Sequence, residues 1–291
     1  MLRRIATAAI AAVLLSATAA THAATRTWSG AVSTNWGTAI NWAESVVPVN
    51  GDDLVFPDSP TNRTSNNNIA GLSVASVTVT TMNSGAAYDF IGNGITLTGP
   101  ITFSNPGVGS GSGDPNWAIP ITLGASITMT ADGRVTPFNA AIDLGANTLT
   151  IAGGGDLWIN GIVSGAGGIT KNSSSAFQLF GANTYSGATL VNSATIFARN
   201  AAAFGSSATG TTFANGTGLG VLSGPYTLNE PLTFQGPGNY VDAYSNIDLA
   251  GAISFAGTLT YSAYGPGSIT GTVTSSGTLS KAGTDTLSTN G

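Results

Sequence analysis

The chain has 291 residues, with 40 Gly, no Cys, one His and only 7% charged residues. An ordinary domain carries about 25% charged residues, many of them on solvated helix faces. The composition therefore argues against helix bundles, coiled coils and doubly wound α/β folds. With 42% hydrophobic residues and a net charge of −5 the chain is not disordered in type, and without cysteine it has no disulfide scaffold and no thiolate metal site.

Arg3 and Arg4 open the chain, an apolar run covers residues 5–15, and small residues fill positions 17–24. Basic, apolar, then small is the layout of a secretory signal peptide. We assign residues 1–23 to it, with cleavage near Ala23 or Ala24 and Ala19 as the alternative. The run is shorter than the roughly 20 residues that span a bilayer. A twin-arginine signal fits the flanking residues poorly. Removal takes away His22, Arg3 and Arg4, leaving six basic residues against 13 acidic ones. That balance disfavours nucleic acid and anionic membranes as partners. The mature chain is expected outside the inner membrane, secreted or on the cell surface.

Residues 24–60 read as an N-terminal cap segment. Trp28, Trp36, Trp42 and Phe56 would plug the open end of a rod, the alternative being a platform for sugar rings. Asp52-Asp53 is the chain's one acidic doublet. It reads as a turn before the strand Leu54-Val55-Phe56; a calcium site using Asn50 and Asp58 as well is the metal-binding alternative. Trp117 and Trp158, further on, stand isolated in the sequence and read as core or surface-ridge residues.

Residues 61–291 read as the rod. Its unit is apolar-Thr-apolar, as in Ile95-Thr96-Leu97, Ile101-Thr102-Phe103, Ile121-Thr122-Leu123, Leu149-Thr150-Ile151 and Leu232-Thr233-Phe234. Period-2 alternation rich in β-branched residues predicts strands with one buried face. Gly, Asn, Ser and Pro between the units predict tight turns. A brief helical turn is expected over residues 201–204. The glycine runs 107–113 and 153–155 lack the Lys-Ser/Thr of a phosphate loop and read as projecting loops.

Internal repeats choose between a sandwich and a solenoid. Ile121, Leu123 and Gly124 recur as Ile142, Leu144 and Gly145, about 21 residues on. A longer echo, about 110 residues on, relates Ile159, Gly161, Val163, Lys171 and Gly181 to Ile269, Gly271, Val273, Lys281 and Gly291. Five coils of about 22 residues would fill it. The expected fold is thus an all-β, right-handed, single-stranded parallel β-helix with an aromatic-rich N-terminal cap and about 10–12 coils. Lys171 and Lys281 then read as inter-coil contacts at equivalent positions.

One stretch carries a specific signature. Gly165-Ala166-Gly167-Gly168-Ile169-Thr170-Lys171 is followed by Phe177-Gln178-Leu179-Phe180-Gly181-Ala182-Asn183-Thr184-Tyr185-Ser186-Gly187 and by Thr189-Leu190-Val191-Asn192. It resembles the autotransporter-associated β-strand repeat, also called the passenger-associated transport repeat. Gly167, Lys171, Gly181, Asn183, Thr184, Tyr185 and Gly187 carry the likeness. Ser193 or Ala194 stands where the family has a glycine, and Ile196 where it has a leucine. The repeat covers about residues 161–197, and a truncated second copy about 271–291. The resemblance implies an exported bacterial passenger, acting as a stalk or adhesion surface, whose outer-membrane barrel translocator follows in a longer chain. Gly291 matches Gly181, so the 291 residues are expected to be the N-terminal part of that chain. Host or surface glycans are conceivable partners, and a monomer is expected.

Without His or Cys, the mature chain cannot build a Ser-His-Asp or Cys-His site. A polysaccharide lyase or glycoside hydrolase could work with two carboxylates, but the 13 acids are scattered and mostly sit beside Gly, Pro or Asn. A non-enzymatic chain with no cofactor is expected. A carbohydrate-binding or carbohydrate-active β-helix is the alternative.

Overall fold

The apolar-Thr-apolar units form strands of about three residues, and the Gly, Asn and Ser between them form corners. The computed structural model describes residues 23–80, 87–105, 114–133 and 135–289. The signal-peptide segment 1–22, the glycine run 107–113 and Gly291 lie outside the described residues. The described chain winds as a three-faced β-solenoid. Face one is a 12-stranded sheet and face two an 11-stranded sheet. Face three is split into a five-stranded and a four-stranded sheet. Each strand pairs in parallel with the strand one coil away, as in Ile121 with Ile142 and Phe177 with Ile196. About 11 coils at roughly 4.8 Å each give a rod about 50 Å long.

Burial follows the alternation. Ile127, Met129, Leu149, Ile151 and Ile169 point inward on face one and are buried. Their outward neighbours Thr128, Thr150 and Thr170 stack in register, one per coil. Each inward Ile, Leu or Phe contributes about 1.5–3 kcal/mol by leaving water. Stacking makes these one continuous apolar column, from Trp28 to Ile269.

The shorter echo holds, being one coil, since Ile121 pairs with Ile142, and two other expectations are corrected. The longer echo does not fall coil on coil. Five coils up from Leu149, through Ile169, Thr189, Thr211 and Leu232, the partner is Ile253. Leu259, its echo, lies on face two instead, as does Lys281, whereas Lys171 is on face one. The coils here are shorter than 22 residues on average, so the echo overshoots by one face. Finally, residues 201–204 form hydrogen-bonded turns and no helix, with Ala203 N–H on the Asn200 carbonyl and Gly205 N–H on that of Ala202. The described helical element is a 3₁₀ turn at Ala39–Asn41, which the sequence did not announce.

Candidate functional site

The N-terminal aromatics meet at the first coil. Trp28 and Trp42 pack edge to face at 5.2 Å, and Trp36 sits 6.1 Å from Trp42. All three reach Phe56, at 5.7–6.2 Å, and Phe56 reaches Phe90 at 4.9 Å. The indole N–H of all three is satisfied: Trp28 donates to the Asn62 carbonyl, Trp36 to Ser65 Oγ and Trp42 to the Trp36 carbonyl. All four side chains are buried, so none presents a ring face to a sugar. Trp117 is not isolated; it continues this column against Phe90, Phe103 and Phe138. Phe90 and Phe138 lie one coil away on either side, which linear spacing hides.

Asp52 is buried and fully engaged. Its carboxylate accepts from Arg26 Nε at 2.7 Å, Val49 N at 3.0 Å and Ala24 N at 3.2 Å. Asp53 accepts from Ser76 Oγ, Asn50 from Ser73 N, and Asp58 lies 3.6 Å from Arg63. The doublet ties the N-terminal strand and the following coil together. Among the described residues no three His, Cys, Asp or Glu side chains gather as a metal site would need.

The signature falls where face three breaks. Its five-stranded sheet ends at Val163–Ser164, and its four-stranded sheet begins at Tyr226–Leu228. In the two coils between, residues 181–188 and 199–210 cross without a strand. Asn183 substitutes for the missing ladder. It is buried, its Oδ1 accepts from Val163 N at 2.8 Å, and its Nδ2 donates to the Ala203 carbonyl at 2.6 Å. One side chain thus satisfies the coils on both sides. Tyr185 fills the space beneath, fully buried, its hydroxyl 2.6 Å from Thr189 Oγ1. Thr184 is exposed, and only its backbone N–H is used, toward the Val163 carbonyl. Gly187 stacks directly on Gly167: a Cβ there would lie 2.5 Å from the Gly167 carbonyl. A Cβ on Gly181 would meet the Gly161 carbonyl at the same distance. Lys171 is buried on face one. Its Nζ donates to the Ser173 and Ser193 carbonyls, both at 2.7 Å, and so joins two coils. Burial pulls its pKa down to about 8. Lys281 repeats only the local half of this, donating to the Gly283 carbonyl.

Sequence reading missed a cleft beside this break. It holds about 220 Å³ and is walled by Ala202, Phe204, Gly205, Leu228 and Glu230. Glu230 is only 5% exposed and accepts from Thr211 Oγ1 at 2.8 Å. Burial outweighs that hydrogen bond and pushes its carboxyl up to about 7. A lone Glu before Pro231 gives no hint of this in the sequence.

The second feature missed is on the outside of face two and its corner toward face three. Phe197 lies over Gly220, and Tyr240 over Gly218, where a Cβ would strike either ring. Arg199 stacks 5.0 Å from the Phe180 ring, and Phe180 lies 5.8 Å from Trp158. Tyr244 and Tyr264 stack at 5.1 Å and 12°, and are 46% and 52% exposed. Outward positions of face one, in contrast, run Thr150, Thr170, Leu190, Thr212, Thr233 and Ser254. Aromatic side chains on the outside therefore mark one side of the rod.

One curated relative is similar to part of the chain. It is the adhesin BmaC autotransporter of Brucella suis biovar 1 (strain 1330), 36% identical over 112 residues. The match takes in 38% of this chain and 3% of that protein, so the chain spans a small fraction of its relative's length. No family model matches the chain, and no solved structure matches it.

Proposed function

We propose that the chain is a length of exported autotransporter passenger, a non-enzymatic rod that carries an adhesion surface. The observation that carries this is the pairing of a β-solenoid with 36% identity over 112 residues to an autotransporter adhesin. The local form of the signature supports the finer reading as an autotransporter-associated β-strand repeat. Its Asn, Tyr and Gly residues are those that close the break in face three. Residues 1–23 act as the export signal, and an outer-membrane barrel translocator follows in the full protein. The outer aromatic band of face two is the adhesion surface, because Tyr, Trp, Phe and Arg dominate the centres of recognition surfaces.

The test is to express the full gene in its own host and label intact cells with an antibody to the rod. Surface labelling that external protease removes, with a mature N-terminus at residue 24 or 25 by mass spectrometry, is the expected result. Rod confined to the cytoplasm or periplasm, with residues 1–23 retained, would refute export. Adhesion of such cells unchanged by deletion of residues 24–289 would refute the adhesive role.

A further inference from the structure

Two acids are buried among the described residues, and they are treated in opposite ways. Asp52 is fully partnered, by Arg26 Nε and by the backbone N–H groups of Ala24 and Val49. Glu230 has one neutral partner. Its Oε1 accepts from Thr211 Oγ1, and no donor among the described residues reaches Oε2. The two ion pairs among those residues are Arg26–Asp52 and Arg63–Asp58, so no basic side chain is paired with Glu230. A buried carboxyl without a cation beside it either stays neutral or takes a cation from outside.

The fold leaves room for one. The strand Tyr226–Leu228 is the outermost of its sheet and pairs only with Ile247–Leu249. On its other side residues 199–210 cross without a strand. They pass the gap in turns, with Ala203 N–H on the Asn200 carbonyl and Gly205 N–H on that of Ala202. The cleft between has apolar lining from Ala202, Phe204 and Leu228, and polar lining from Ser207, Asn229 and Glu230. At about 220 Å³ it is smaller than a drug-sized pocket of roughly 300–1,000 Å³. It suits a ligand of a few heavy atoms.

We infer that this cleft is a binding site for a primary ammonium group on a short aliphatic stem. The ammonium takes Glu230 Oε2 as its charged acceptor and supplies the cation that the chain itself does not place there. Ser207 and Asn229 carry the side-chain oxygens open to its other N–H groups. The stem packs on Ala202, Phe204 and Leu228, where the Phe204 ring also favours a cation. A butyrate-like anion meets repulsion, and an alcohol of the same shape gains no charge pairing. A divalent metal would need several more oxygens than one carboxyl offers. A free amine and a lysine side chain share this chemistry, and the test separates them. The inference stands apart from export and adhesion, since it concerns the mature rod alone.

Titration of the mature full chain with n-butylammonium, followed by amide NMR shifts at pH 8, tests it. Saturable shifts confined to Gly205, Ser207, Leu228 and Glu230 are expected, in the millimolar range of so small a ligand. Glu230→Gln removes the charge and Ala202→Leu fills the cleft; each weakens binding by about tenfold or more, while circular dichroism matches the parent. Binding by the parent also weakens from pH 8 to pH 5, because the amine must then displace a proton from Glu230. The titratable group that senses Glu230 is the Tyr185 hydroxyl, which burial keeps protonated throughout. Nα-acetyl-lysine amide separates the sources. If it binds like butylammonium, the cleft admits lysine side chains; if only the free amine binds, the ligand is a small amine. Shifts that fail to saturate or that spread over the acidic surface overturn the proposal. So does n-butanol or butyrate binding as well as the amine, or Glu230→Gln binding like the parent.

Discussion

Glu230→Gln is the sharpest test of the break in face three. The carboxyl is 5% exposed and its pKa is raised from 4.5 to about 7, chiefly by burial. The folded state therefore holds the proton more tightly than the unfolded chain does. Below about 4.5 both states are protonated, and the neutral acid sits in place without cost. Between 4.5 and about 7 the unfolded chain ionises while the folded one resists, so stability falls as pH rises. Above about 7 the loss is complete. At about 1.4 kcal/mol per pH unit, the span from 4.5 to about 7 is worth roughly 3 kcal/mol. Glutamine keeps an oxygen for Thr211 Oγ1 and cannot ionise. The variant should match the parent at pH 4.5 and exceed it by about 2–3 kcal/mol at pH 8. A solenoid opens in nearest-neighbour units, so a global melting curve dilutes a local effect. The appropriate readout is amide exchange at Gly205, Ser206 and Thr211, corrected for the intrinsic pH dependence of exchange. Parent protection that is flat from pH 5 to 8, or equal pH slopes in parent and variant, would refute the argument.

Three further outcomes follow from the same geometry. Asn183→Ala leaves Val163 N–H and the Ala203 carbonyl unpaired inside the break; at about 1–3 kcal/mol each, urea unfolding should shift by about 2–6 kcal/mol. Gly187→Ala drives a methyl into Gly167 and should cost about 1–3 kcal/mol, whereas alanine at Gly216, where a Cβ meets nothing within 4 Å, carries only the strain of φ +74° and is the control by hydrogen exchange. Lys171 has its pKa lowered to about 8 by burial, so the unfolded chain binds the extra proton between 8 and 10.5. Parent stability should therefore rise with pH across that window relative to Lys171→Met, and parallel pH profiles in chemical denaturation would count against it.

Much of the fold was legible because it is local. The triplet Leu149-Thr150-Ile151 states which residues face inward, and the structure buries Leu149 and Ile151 as written. Pairing of Ile121 with Ile142 was legible as a one-coil echo. The solenoid and its number of coils were legible too; what was not is which residues in different coils become neighbours. Coil length varies: Thr25 pairs with Asp53, Val77 with Ile101, and Ile169 with Thr189. A residue's neighbours across coils therefore cannot be read from a fixed period. A fixed period isolates Trp117, sets Lys281 beside Lys171 and gives Glu230 no neighbours. The stacked Tyr244 and Tyr264 were hidden for the same reason, since each stands alone in its own coil.

The signature and the exposed band divide the labour of the rod. Asn183, Tyr185, Gly181 and Gly187 are committed to closing a gap that two strandless coils leave in face three. Three of them are buried glycine contacts or hydrogen bonds between coils, and such residues have no freedom to choose a partner. Outward side chains do have it, because replacing Thr170 or Tyr244 leaves the inward column untouched. A sequence motif of this kind therefore identifies how the coil is built and says little about what it holds. Binding specificity must be sought among residues the motif omits, and among the described residues these are Arg199, Tyr244 and Tyr264 on the side of the rod where aromatic rings face outward.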